Sequence, residues 1–202
     1  IRLKQLGRRD RRDELGFVLP VALRPGRGPA RARGDGRGFL PSQLARLLEA
    51  HPGPDLPPGY PAALAALDAG RLSGWLSGSI DLVFRHRLGS DSEAAVAVAV
   101  DGHVAGVGDD PPDAGGGGSR WYLLDWKSNR LGPHWEDYAP RRLAEEMARH
   151  HYVLQAQLYA LALHRHLRQR VAGYDYDRHF GGAFYVFVRG VKPGQAGSGV
   201  WF

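Results

Sequence analysis

The 202-residue chain has no cysteine. That excludes a disulfide framework, a thiolate metal site and a cysteine nucleophile, and it fits a reducing compartment. It has one methionine, Met147, so the stretch reads as a piece of a longer protein. No apolar run approaches the roughly 18 residues of a membrane span, and no signal-peptide pattern opens it. A cytoplasmic location is the expectation. What is there is ordinary for a folded domain: 43% hydrophobic and 24% charged residues, in a chain long enough to bury one real core.

The net charge is +6 and the sequence pI near 9.9. This permits a polyanion partner, although the abundance of Arg, Gly and Pro reads equally well as codon bias.

The first 13 residues are dense in charge, and Glu14 meets an apolar stretch, Leu15 to Leu23, that predicts a strand. Pro20 inside it suggests an edge position or a bend. Residues 24–38 form a basic Arg/Gly/Pro loop. Residues 40–50 have leucines at helical spacing, with Pro41 suited to a first turn. Residues 61–69 predict a short helix that Gly70 can close. From Arg71 to Arg87, Leu72, Leu76, Ile80, Leu82 and Phe84 all take even positions, which is one apolar strand face. Asp81 lies on the other face, and Gly74 and Gly78 mark a bulge or a close backbone approach. Residues 88–119 are expected to be a flexible insertion, with a hairpin turn at Asp101-Gly102 and a glycine-rich run after it.

RWYLLDWKSN, Arg120 to Asn129, predicts a strand. Alternation puts Asp125 and Lys127 on one face, about 7 Å apart. That spacing serves a surface ion pair worth at most about 1 kcal/mol, or a site that holds a metal ion beside a reacting oxygen. Residues 141–170 predict one long helix whose buried side includes Leu143, Met147, His151, Leu154, Leu158, Leu161 and Leu163, and whose Gln155 and Tyr159 share a face. Its histidines show no HExxH spacing and read as packing residues. His103 reads as a turn residue. FGGAFYVFVR, 180–189, predicts another strand that Gly190 ends, and Val200 to Phe202 begin one more.

Carboxylates from separate elements plus a lysine suit metal-assisted phosphodiester hydrolysis. Carboxylate oxygens are hard ligands for Mg²⁺ or Mn²⁺. The metal polarises the phosphate, and a lysine orients the attacking water or offsets developing charge.

GSIDLVF, YLLDWKSNRLG, the run HHYVLQAQLYALALHRHLRQRVAGYDYDRHFGG and FYVFVRGV closely resemble the C-terminal nuclease domain of the RecB family. RecB is the beta subunit of the RecBCD helicase–nuclease, exodeoxyribonuclease V. The resemblance covers roughly 71–192 and is looser over 1–23. It implies a single domain over 1–202 with an α/β, restriction-endonuclease-like PD-(D/E)xK core, a mixed central sheet flanked by helices. It implies a deoxyribonuclease acting in DNA repair and recombination, with Mg²⁺ as cofactor and Mn²⁺ or Ca²⁺ substituting in binding. Asp81 and Asp125 would be metal ligands, Lys127 the catalytic lysine, and Glu14 a further acidic ligand. Gln155 and Tyr159 match a Q-x-x-x-Y motif expected to engage DNA. RecC, RecD and the helicase part of RecB, with its ATP site, would be the partners. The family's upstream metal-binding histidine has no counterpart here, and residues 88–119 replace the family's short turn. The competing readings are a catalytically silent DNA-binding or scaffold module, and a RecB-like nuclease of another repair or defence system. The first typically loses the acids or the lysine, and all three stand here.

Overall fold

In a computed structural model the described residues are 3, 6–21, 40–53, 56–68, 72, 74–87, 118–192, 194–195 and 197–202. Among them five strands form one sheet in the order of the chain: β1 (Arg11–Pro20), β2 (Trp75–Arg87), β3 (Ser119–Lys127), β4 (Phe180–Phe187) and β5 (Val200–Trp201). β3 and β4 are parallel and the other neighbours antiparallel. The parallel step requires a crossover, and the chain between those two strands supplies it as helices. These are α3 (Pro140–Arg149), α4 (Tyr152–Arg170) and the short α5 (Tyr176–His179). Two earlier helices, α1 (Pro41–Ala50) and α2 (Tyr60–Ala65), pack on each other.

Most predicted elements are present, with shifted ends. β1 starts earlier than expected, at Arg11, and Pro20 closes it on the outer strand of the described sheet, where a missing amide costs no ladder bond. α2 ends at Ala65, ahead of the expected Gly70, which lies outside the described residues. So do the expected loop at 24–38 and the hairpin around Asp101-Gly102, while Ser119, placed by the sequence in the insertion, opens β3.

Two expectations are corrected. The single helix over 141–170 is two helices. His151 between them has φ 54°, a left-handed conformation that ends one helix and starts the next. Tyr60 fixes the break: its hydroxyl lies 3.4 Å from His151 Nδ1 and accepts from the Leu154 amide at 3.2 Å. That amide belongs to the first turn of α4, where the helix offers no carbonyl to bond it. The buried side also differs. Leu161 is 41% exposed, whereas Val153, Ala156, Tyr159, Ala162, Leu163 and Leu167 are buried.

The single even-numbered face of β2 is the second correction. Ile80 packs with Leu15, Val83, Leu123, Tyr159 and Leu163, while Leu82 and Phe84 pack with Leu3, Tyr122 and Leu124 in a separate cluster. Alternation is thus broken next to Asp81. The partner position on β1 is Glu14, whose backbone is left-handed at φ 52° between the pairs Asp13↔Leu82 and Leu15↔Ile80. Leu72 at the start of the pattern is 40% exposed. Gly78 serves the close approach the sequence suggested: a Cβ there would meet the Phe17 ring at 2.7 Å.

Among the described residues three buried clusters make the core. One joins α1, α2, α3 and the start of α4 to Tyr185 and Phe187 of β4. A second lies between α4 and β1–β3. The third, Leu3, Leu82, Phe84, Tyr122, Leu124, Phe184 and Val186, contains no buried residue from α1–α5. The described helices therefore pack their apolar faces on one side of the sheet, and this side carries the polar cluster described next.

Candidate active site

β2 and β3 pair from Leu82↔Leu124 to Arg87↔Ser119, and the ladder stops there. The residues just beyond are Asp81 and Asp125. Asp81 replaces the missing ladder bond with its side chain, Oδ2 accepting from the Trp126 amide at 2.9 Å. The two strands therefore part at two carboxylates, on the side that faces α4.

Asp125 is 4% exposed and Lys127 8%. Lys127 Nζ lies 2.5 Å from Asp125 Oδ2. Apart from that ion pair, Oδ2 is buried with no hydrogen-bond partner. Burial pushes the Asp125 carboxyl up, contact with Lys127 and its charge pull it down, and the Asp81 carboxylate pushes it up again, leaving it above its ordinary value. Lys127 Nζ also donates to Gln155 Oε1 at 2.8 Å. It sits 3.9 Å from the centre of the Tyr152 ring and 5.2 Å from that of Tyr185.

Gln155 and Tyr159, one helical turn apart on α4, both reach this cluster. Gln155 Nε2 donates to the Tyr159 hydroxyl at 3.0 Å, and the Tyr185 hydroxyl donates to Gln155 Oε1 at 3.3 Å. Tyr159 also packs edge-on against Phe17 of β1, 5.6 Å between centroids. Burial, then the Asp125 carboxylate, raise the phenol pKa values of Tyr159 and Tyr185, and Asp81 adds to both. Both phenols remain protonated donors at neutral pH.

A second set of groups supports the first. Tyr152 donates to Asn129 Oδ1 at 3.2 Å, and Asn129 Nδ2 donates to Glu146 Oε1 at 2.9 Å. Arg149 donates to Glu146 Oε2 through Nε and Nη2 at 2.9 and 2.6 Å. His150 Nε2 lies 3.1 Å from Glu146 Oε1, and its ring stacks on Tyr152 at 5.3 Å. No sequence pattern marks Tyr152, Tyr185 or Glu146 as site residues. Asn129 two residues beyond Lys127 was the only local signal; the others meet through the crossing of α4 over the sheet.

The structure thus brings together Asp81, Asp125, Lys127, Gln155 and Tyr159. Glu14 stands opposite Asp81 on β1, exposed, with its left-handed backbone. Among the described residues no group of three His, Cys, Asp or Glu side chains is arranged to hold a metal ion. Two adjacent hard carboxylates, one with a buried oxygen whose sole partner is the Lys127 ammonium, do fit Mg²⁺, which characteristically takes one or two carboxylates and completes its shell with water and phosphate oxygens. No helix among the described residues is long and apolar enough to cross a membrane.

Fold and site define an α/β domain whose mixed sheet opens onto two carboxylates, a lysine and a glutamine–tyrosine pair. No family model matches the chain. It is 34% identical over 201 residues to the RecBCD enzyme subunit RecB of Escherichia coli, which covers all of this chain and 13% of that protein. It is 35% identical over 196 residues to RecB of Mycobacterium tuberculosis, 94% of this chain and 14% of that one. To RecB of Haemophilus influenzae it is 38% identical over 132 residues, 65% of this chain and 8% of that protein. The chain belongs to the RecB family and spans about an eighth of the length of such relatives.

Proposed function

We propose that this domain is a metal-dependent deoxyribonuclease of the PD-(D/E)xK type, the nuclease part of a RecBCD-type enzyme that degrades DNA during double-strand-break repair. The observation that carries the reading is the parting of β2 and β3 at Asp81 and Asp125, with Lys127 held against the same carboxylate.

Asp81 and Asp125 would hold Mg²⁺, with Glu14 as a further acidic ligand reached from the adjoining strand. The bound ion would supply Lewis acidity to the phosphate and the attacking water. Lys127 places a positive charge where negative charge develops on phosphorus oxygens, in a buried setting where that charge counts for more than in water. Gln155 steers the ammonium by accepting its hydrogen bond. Tyr159 accepts from Gln155, so its own proton is directed outward and can donate to a DNA phosphate. The relatives' printed name supports an assembly with RecC and RecD, and the remainder of a RecB chain would deliver the strand.

The test is cleavage of single-stranded DNA with Mg²⁺ or Mn²⁺ by the chain, by Asp125→Ala, and by a version extended at the N-terminus. Metal-dependent cutting that Asp125→Ala abolishes is the expected result. Activity confined to the extended form would assign the remaining metal ligand to the added residues. DNA binding without cutting in every form would overturn the reading and favour a scaffold role.

A further inference from the structure

The geometry points to Tyr152 and Tyr185 as an aromatic cage that positions the Lys127 ammonium, with Tyr152 the decisive wall. This inference rests on the nuclease reading above, because it concerns how that site's lysine is held.

Lysine is a flexible four-carbon stem ending in a compact charge, so four rotatable bonds must be restrained before Nζ occupies one place. Here restraint comes from three directions. Asp125 Oδ2 and Gln155 Oε1 bind the ammonium at 2.5 and 2.8 Å. The Tyr152 ring closes a third side, 3.9 Å from Nζ to the centroid, well within the range where an aromatic face attracts a cation. The Tyr185 ring stands at 5.2 Å, and the two rings stack on each other with centroids 6.1 Å apart.

The cage is also anchored. Tyr185 is fully buried and its hydroxyl donates to Gln155 Oε1. Tyr152 is gripped at its other end: the hydroxyl donates to Asn129, which is bound to Glu146, while His150 stacks on the ring. A cation held by Asp125 would compete with Lys127 for the same carboxylate oxygen, whereas the Tyr152 face offers no ligand atom to a metal and would still hold the ammonium. Tyr152 is therefore a positioning residue acting through Lys127.

The experiment compares Tyr152→Phe, Tyr152→Leu, Lys127→Ala and the double variant Lys127→Ala/Tyr152→Leu in the 202-residue chain. Two readouts are used: kcat and KM for single-stranded DNA with Mg²⁺, and the NMR shift of the Lys127 ε-methylene. The chain has three lysines, Lys4, Lys127 and Lys192, so selective labelling resolves it. Over a tyrosine face that methylene should be shifted upfield in the wild type and in Tyr152→Phe, and should move toward the random-coil position in Tyr152→Leu. Tyr152→Leu should lower kcat about thirtyfold, the size of a desolvated cation–π contact, with KM little changed. Tyr152→Phe should recover most of the rate, and Tyr152→Leu should cost nothing further once Lys127 is alanine. An unshifted methylene in the wild type overturns the cage whatever the activity. So does a Tyr152→Leu variant as active as wild type while Lys127→Ala is dead. If Lys127→Ala cuts like the wild type, the assignment of the chemistry to this site fails and the positioning role falls with it.

Discussion

Glu14 holds a left-handed backbone that an L-residue enters at a cost of roughly 1–2 kcal/mol. Such strain persists where the surroundings impose it, often beside a functional site, and here it faces Asp81. Glu14→Gly should raise unfolding stability by up to about 1 kcal/mol after glycine's own entropy cost, whereas Glu14→Ala should leave it near the wild type. Both should lower metal-dependent cleavage if the carboxylate reaches the ion. Thermal unfolding and cleavage measured on the same two variants separate the effects. Glu146 gives a second test at this scale. Burial alone would raise its carboxyl, but hydrogen bonds from Arg149 and Asn129 and the charges of Arg149 and His150 outweigh burial and hold it below the usual range. A depressed native value adds stability at and above neutral pH, and that contribution is lost as pH falls through the native value. Glu146→Gln should therefore destabilise the domain at pH 7, by about 1–2 kcal/mol for a lost charged hydrogen bond. The gap to wild type should close in denaturation curves taken below about pH 4. A gap that stays constant with pH would show that Glu146 is not ionised in the fold.

At the scale of elements, the two strands part where a carboxylate substitutes for a carbonyl. Asp81→Asn keeps an acceptor for the Trp126 amide but loses the charge, while Asp81→Ala loses both. Cleavage should vanish in each. Stability should fall only in Asp81→Ala, by about 1 kcal/mol for a half-buried amide left unpaired, read from urea midpoints. How far these elements were legible in sequence depended on period. Alternation places Asp125 and Lys127 on one face, and a four-residue step places Gln155 and Tyr159 together; both survive folding because they are local. The break of alternation at Asp81 is not local, since it requires β1 alongside with Glu14 left-handed. The break between α3 and α4 is invisible for the same reason. His150 and His151 carry no Pro or Gly, and the turn is imposed by Tyr60 from another part of the chain. Tyr152 and Tyr185 become neighbours of Lys127 only through the packing of α4 on β3 and β4, so no spacing rule announces them.

Across the whole molecule, one side of the sheet carries the helices and the polar cluster, and the net charge is +6. A basic domain that grips a polyanion releases counterions when it binds. Affinity for single-stranded DNA should fall linearly in log–log form as salt rises, with a slope near −0.7 per phosphate engaged. Replacing Tyr159 by Phe should weaken binding at every salt concentration while leaving that slope unchanged, since no cation is lost. A titration by fluorescence anisotropy at several salt concentrations decides it, and a flat dependence would deny the charge any part in recognition.

Tyr60 meets the Leu154 amide from 94 residues away. Closing a loop of that length carries an entropic toll that local helix formation does not. The first turn of α4, which bears Tyr152 and Gln155, is thus finished by a distant partner rather than by its own neighbours. In refolding followed by pulsed hydrogen exchange, the Leu154 amide should acquire protection later than amides in the middle of α4, and Tyr60→Phe should erase that late step. The domain would then become competent for chemistry only after its earlier half has come home, a built-in order of assembly with the reactive corner completed last.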